Sequence, residues 1–197
     1  MGETLKLGCV VLAAGSARRF GGNKLTAALS GKSLIQRALE AVPTEVVDAA
    51  AVVTQYPEAA SLAKEYSFTA IQNDRPALGI SHSLQLGLAA LGDCDGVLFQ
   101  VADQPLLRRE TVAGLAALWK RQPDCIAALG HGGVRGNPCL FPARLFPELM
   151  ALEGDCGGSA VIRRHEADLV LLETDPAELY DVDTVAALEL LRERLEP

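Results

Sequence analysis

The chain has 197 residues, 49% hydrophobic and 22% charged, and its 18 Lys and Arg against 25 Asp and Glu leave a formal net charge of −7. That length predicts one domain over 1–197 with a sizeable buried core, and the acidic balance argues against a general nucleic-acid binder, which carries a basic footprint. No apolar run approaches the ~20 residues of a membrane span, the opening Met1-Gly2-Glu3-Thr4-Leu5-Lys6 has no secretory pattern, and the 5 cysteines are scattered without a C-x-x-C pair, against a disulfide framework or a zinc site. The expected setting is the cytoplasm, with most cysteines as small core residues.

Leu7 to Ala13 is a continuous apolar run ending near Gly15, the pattern of a parallel strand covered on both faces. Ser33 to Val42 has helical spacing, with Leu34, Ile35, Ala38, Leu39 and Val42 on one side and Pro43 closing it. Val46 to Thr54 reads as a strand, Pro57 to Tyr66 as a helix with proline in its first turn, and Phe68 to Ile71 as a short strand. Ser81 to Leu91 is helical, Gly96 to Val101 is another buried strand, and Glu110 to Arg121 is a helix. Cys125 to Leu129 is a strand, and the Gly-rich Gly130 to Pro138 is expected to be a loop. Pro142 to Leu152 and Gly157 to His165 read as helices, Leu169 to Leu172 as a strand, and Thr184 to Leu195 as a terminal helix. Such alternation predicts an α/β fold, a mostly parallel sheet with helices on both faces. Its ligand belongs outside the carboxyl ends of the strands, where two polar segments lie, Gly15 onward and Asp103-Gln104-Pro105.

The loop from Leu12 to Lys24 holds Gly15, Gly21 and Gly22 together with Arg18, Arg19 and Lys24. Glycines let backbone N–H groups approach an anion, and the cations suit a triphosphate; a tight turn with solvated arginines is the plainer alternative. No G-x-G-x-x-G follows the strand, and Gly31-Lys32-Ser33 lacks the earlier glycine of a Walker A loop, since Thr26 stands there.

Leu12-Ala13-Ala14-Gly15-x-x-x-Arg19-Phe20-Gly21-x-x-Lys24-Leu25 resembles the signature of the MobA-like nucleotidyltransferases, and within them the molybdenum cofactor cytidylyltransferase branch. Gly79-x-Ser81-x-Ser83-Leu84, Ala102-Asp103-Gln104-Pro105, Gly136-Asn137-Pro138, Gly154-Asp155-x-Gly157 and Asp181-Val182-Asp183-Thr184 follow in that family's order. The resemblance implies a three-layer αβα Rossmann-like nucleotidyltransferase fold. It implies that Leu12, Ala13, Ala14 and Gly15 line the nucleotide, that Arg19 and Lys24 meet its phosphates, and that Asn73, Gly79 and Ser83 wall the base and ribose. It makes Asp103 a ligand of Mg²⁺ and Asp183 the second, and it turns Arg135, Gly136, Asn137, Pro138 and Asp155 toward the acceptor. The implied donor is CTP or another nucleoside triphosphate, the acceptor is of the molybdopterin type, and a molybdoenzyme is a candidate partner; neither nucleic acid nor membrane is expected.

Local alternatives stand beside these roles. Asp103 also suits a turn before proline, Asp183 a helix cap, and the serines near Gly79 an N-cap. His131 suits either phosphate or solvent, and Cys156 reads as structural because no partner histidine is recognisable. The resemblance favours cytosine, because Ala13-Ala14 replaces a Gly-Gly pair usual in guanylyltransferases and the added methyls narrow the pocket. Two departures weaken the acceptor side: Asn137 stands where relatives often have His, and Ser159 where they commonly have Arg, with Arg163 or Arg164 as substitutes. Rival readings are transfer to another phosphorylated small molecule, an NAD(P)H-dependent reductase of small heterocycles, and a non-catalytic nucleotide sensor or molybdoenzyme chaperone.

Overall fold

The computed structural model describes residues 4–16, 20 and 22–195. Its strands are β1 (Leu7–Ala13), β2 (Ala28–Leu29), β3 (Lys32–Ser33), β4 (Ala49–Thr54), β5 (Thr69–Gln72), β6 (Gly96–Val101), β7 (Ile126–His131), β8 (Val134–Pro142) and β9 (Leu169–Glu173). Its helices are α1 (Leu34–Glu40), α2 (Pro57–Glu65), α3 (Ile80–Ala90), α4 (Arg109–Arg121), α5 (Phe146–Met150), α6 (Ser159–Arg164) and α7 (Val185–Leu195). Seven strands form one sheet in the order β5-β4-β1-β6-β8-β7-β9, with β8 antiparallel to both neighbours and the other pairings parallel.

The alternation of side chains along β1 divides the core in two. Cys9, Val11 and Ala13 pack under α1, α2 and α4, whereas Val10 packs under α3, α5 and α6. Helix α3 lies so close that a Cβ on Gly87 would stand 2.5 Å from Val10 Cγ1. A third cluster, built from Leu29, Leu34, Val182, Leu188 and Leu191, fixes α7 against the β2–β3 hairpin. The three-layer αβα arrangement with a mostly parallel sheet is therefore as the sequence implied.

Three expectations need correction. The segment 130–138 is not a loop: Gly132 and Gly133 take φ of +57° and +79°, which makes a two-residue hairpin turn, and β7 and β8 continue to either side of it. The helix expected over 142–152 is also shorter: Pro142 ends β8, Ala143–Leu145 form a 3₁₀ turn, and only α5 is α-helical. The strand expected from Val46 begins at Ala49, because Val46 and Val47 both donate to the Pro43 carbonyl in a turn. The small β2–β3 hairpin had no expectation attached. It places Gly31-Lys32-Ser33 in a chain reversal where Ser33 caps α1 and Lys32 Nζ donates to Glu40 Oε2 at 2.6 Å, with no phosphate-loop geometry.

The chain runs from β1 to β4 and β5 on one side, then returns to β6 on the other. The carboxyl ends of β1 and β6 thus flank the switch in strand order, where α/β sheets form their ligand crevice. Among the described residues no helix is long and apolar enough to cross a membrane.

Candidate active site

A cleft of about 490 Å³ opens at this switch, a size suited to a small-molecule ligand. Its floor is the end of β1 with Leu12 to Ser16, together with Val101, Ala102 and Asp103 beyond β6. The two segments are tied where Ala102 N donates to Leu12 O at 3.2 Å. Pro76, Ala77, Gly79, Ile80 and Ser83 form one wall, and Lys24, Asp183 and Asp155 complete the rim.

The loop after β1 is held by its carbonyls. Thr54 Oγ1 donates to Ala13 O at 3.0 Å, Gln55 Nε2 to Ala14 O at 2.7 Å, and Tyr56 OH to Gly15 O at 2.8 Å. In a trans peptide the C=O and the next N–H point in opposite directions. With these carbonyls drawn toward 54–56, the N–H groups of Ala14, Gly15 and Ser16 point away from those residues, and all three residues line the cleft.

Lys24 begins a 3₁₀ turn, Lys24–Thr26, capped by Asn23. Its ammonium donates to Asp103 Oδ2 at 2.7 Å, to the Val182 carbonyl at 3.0 Å and to Asp183 Oδ1 at 3.2 Å. Burial alone would lower its pKa, but the adjoining Asp103 and Asp183 carboxylates outweigh it and hold the value above the ordinary one. Thr184, not Asp183, caps α7, since Ala187 N donates to Thr184 Oγ1 at 3.1 Å. Asp183 is thereby left to face Lys24. Asp103 in turn anchors the backbone, its carbonyl accepting from Val182 N at 2.9 Å.

Gly79 carries φ +88°, and a Cβ there would lie 2.3 Å from the Gly154 carbonyl oxygen, so only glycine fits. Ser81 N donates to the same carbonyl at 3.2 Å, which latches the start of α3 to the loop bearing Asp155. Ser83 borders the cleft and accepts from Asn73 Nδ2 at 3.0 Å. Asn73 itself is fully buried and braces the turn, accepting from Arg75 N at 2.9 Å, so it supports the wall from behind.

The expected acceptor residues divide. Asp155 lines the cleft, whereas Arg135, Gly136, Asn137 and Pro138 belong to β8 and stand beside it. Cys139 pairs with Phe99 in an antiparallel register, and continuing it sets Asn137 level with Val101, the last residue of β6, with Gly136 and Arg135 beyond that end. Arg135 Nη2 donates to Ser159 Oγ at 2.7 Å, which brings a guanidinium to the position where relatives are expected to carry Arg. Arg164 is turned to Glu148 at 3.3 Å. His131 is engaged with the Thr174 carbonyl at 3.0 Å, and Cys156 is exposed while the other four cysteines are buried. Arg18 and Arg19 lie outside the described residues.

Thr54, Gln55, Tyr56 and the Val182 carbonyl carried no functional expectation. The first three stand at and just beyond the end of β4 with no glycine or charge to mark them, and a backbone oxygen leaves no trace in residue type. Among the described residues no group of three or more His, Cys, Asp or Glu is gathered as a metal cluster.

The profile of the MobA-like NTP transferase domain matches residues 9–169. The chain is 30% identical to the purine catabolism protein PucB of Bacillus subtilis (strain 168), over 93% of this chain and 94% of that protein. It is 31% identical to a molybdenum cofactor guanylyltransferase of Shewanella sp. (strain MR-4), over 70% of this chain and 68% of that one. Among solved structures, a nucleotidyl transferase from Methanothermobacter thermautotroptrophicus superposes with a TM-score of 0.80 at 23% identity, covering 98% of each chain.

Proposed function

This chain belongs to the MobA-like NTP transferase family, and from that premise we propose that it transfers CMP from CTP to the terminal phosphate of molybdopterin. The observation that carries the reading is the junction of three segments at Lys24, which joins the loop after β1 to Asp103 and Asp183 at one end of the cleft.

The N–H groups of Ala14, Gly15 and Ser16 receive the triphosphate, and Ser83 with the Pro76–Gly79 strap receives base and ribose. Ala13 and Ala14 favour cytosine, since their methyls take room that a purine would need. The acceptor phosphate is already anionic near neutral pH, so one of its oxygens attacks the α-phosphorus without a general base. A P–O bond forms there as the bond to the α–β bridging oxygen breaks, and pyrophosphate departs with that electron pair. Lys24 neutralises charge on the phosphates, and alignment with charge neutralisation is the whole of the catalysis required. Arg135, held against Ser159, meets the acceptor's anionic end, and Asp155 borders the same opening.

Asp103, Asp183 and the Val182 carbonyl fit Mg²⁺. They are hard oxygen donors already grouped around one cation, the Lys24 ammonium, and Mg²⁺ commonly takes one or two carboxylates with substrate phosphates completing its shell. When bound, Mg²⁺ would supply neutralisation of the phosphate oxygens. Pyrophosphate release with CTP and GTP in parallel, with Mg²⁺ and molybdopterin, tests the proposal. Release with CTP is expected; release with GTP alone would reassign the donor.

The near full-length likeness to a purine catabolism protein favours a second reading, in which the same transfer serves purine breakdown.

A further inference from the structure

Strands β1 and β4 pair in parallel as far as Ala13 opposite Thr54, and beyond that point side chains replace the ladder. Residues 54, 55 and 56 each reach the residue 41 positions earlier, in unbroken register. The arms lengthen in order, from a Thr hydroxyl to a Gln amide to a Tyr phenol. A loop that parts progressively from its neighbouring strand requires that progression.

A continued backbone ladder would have consumed the loop's own N–H groups. Side-chain donors instead satisfy only its carbonyls, and each bond fixes the opposite face of one peptide. The donors are themselves fastened. Thr54 is fully buried, and its hydroxyl accepts from Tyr56 N at 3.0 Å while it donates to Ala13 O. Its carbonyl accepts from Asn73 N at 2.8 Å, and Gln72 Nε2 donates to Gln55 O at 3.4 Å. Tyr56 leads directly into α2 through Pro57.

We propose that Thr54, Gln55 and Tyr56 form a three-rung clamp that positions the phosphate-binding N–H groups of Ala14, Gly15 and Ser16. They are positioning residues: they touch the loop's carbonyls and hold its donors before substrate arrives. The inference rests on the proposed triphosphate binding and adds the device that preorganises it. It also assigns the ligand chemistry that the clamp serves, a polyphosphate chain of any base. Burial raises the Tyr56 pKa, with Lys24 opposing, so the phenol remains a donor through neutral pH.

The test is binding by calorimetry of CTP, GTP and inorganic tripolyphosphate to the full chain and to Tyr56→Phe, Gln55→Met, Thr54→Val and Thr54→Ser. Each of the first two substitutions removes one donor at similar size. About three- to tenfold weaker binding is expected, the worth of one net hydrogen bond, for all three ligands alike. The CTP-to-GTP ratio should not move, and melting temperatures should stay within about 4 °C of the wild type. Thr54→Ser should bind as the wild type does, and Thr54→Val should not. A purely structural contact would shift melting and leave tripolyphosphate affinity alone. Tripolyphosphate affinity within about twofold of wild type in both Tyr56→Phe and Gln55→Met would overturn the clamp while leaving the proposed function standing. A wild-type chain that binds neither nucleotide nor tripolyphosphate would overturn both.

Discussion

At Asp103 the proposed chemistry and the fold can be separated. Its side chain meets the Lys24 ammonium at 2.7 Å, while its carbonyl independently holds Val182. Asp103→Asn keeps the size and the backbone bond and removes the charge. Nucleotidyl transfer should fall by about 10²-fold or more, with melting changed by only a few degrees, as read by pyrophosphate release and thermal unfolding. Gly79 makes the opposite case, because its constraint is steric. In Gly79→Ala, the new Cβ would collide with the Gly154 carbonyl in a backbone conformation that disfavours alanine, at a cost of about 1–3 kcal/mol in denaturant unfolding. Since Gly154 precedes Asp155, KM for the acceptor should rise along with that for the nucleotide. At this scale the sequence was informative where residue type carries the role. Lys24, Asp103 and Asp155 are chemically marked and stand in the cleft, and so do Leu12 to Gly15. Asn73 was expected at the same wall but supports it from behind, because identity does not reveal which side of a turn an amide faces.

Elements were legible where periodicity was strong. The run Leu7 to Ala13 read as a doubly covered strand, and it is an interior strand of the sheet, paired with β4 and β6. The helix expected over 110–121 is α4, one residue longer at its start. The error over 130–138 came from treating Gly132 and Gly133 as signs of a long loop, when two adjacent glycines with positive φ also make the shortest hairpin. The strap over 176–179 was not foreseen. Its Glu178 is buried and accepts from Arg108 N at 2.9 Å, Arg108 Nε at 3.0 Å, Thr111 Oγ1 at 3.1 Å and Thr174 Oγ1 at 2.7 Å. Burial would raise its pKa, but these donors together hold it below the ordinary carboxylate value. A depressed native pKa means that the carboxylate stabilises the fold at neutral pH. That contribution is lost as pH falls below the unfolded value of about 4.3 and through the lower native one. Glu178→Gln should cost about 1–3 kcal/mol at pH 7, with the gap to wild type closing in acid, as chemical unfolding at a series of pH values would record.

Across the whole molecule, the order β5-β4-β1-β6-β8-β7-β9 explains why residues far apart in sequence share one cleft. The switch around β1 brings the loop after it against the end of β6, and the segment leading into α7 carries Asp183 to the same point. Helical and strand alternation predicted the sheet, and the ligand edge followed from it. Which donors would align the loop was hidden, because the clamp depends on a register between β1 and β4 that no single segment states. The base follows from Ala13 and Ala14 in the proposed reading, and the acceptor from the cation that Arg135 brings to Ser159. Mass analysis of molybdopterin incubated with the full chain, Mg²⁺ and CTP tests this account most directly. The predicted result is a product heavier by one CMP unit, with one pyrophosphate released for each molecule formed. No product and no pyrophosphate with any nucleoside triphosphate, alongside metal-independent NADPH oxidation, would contradict it.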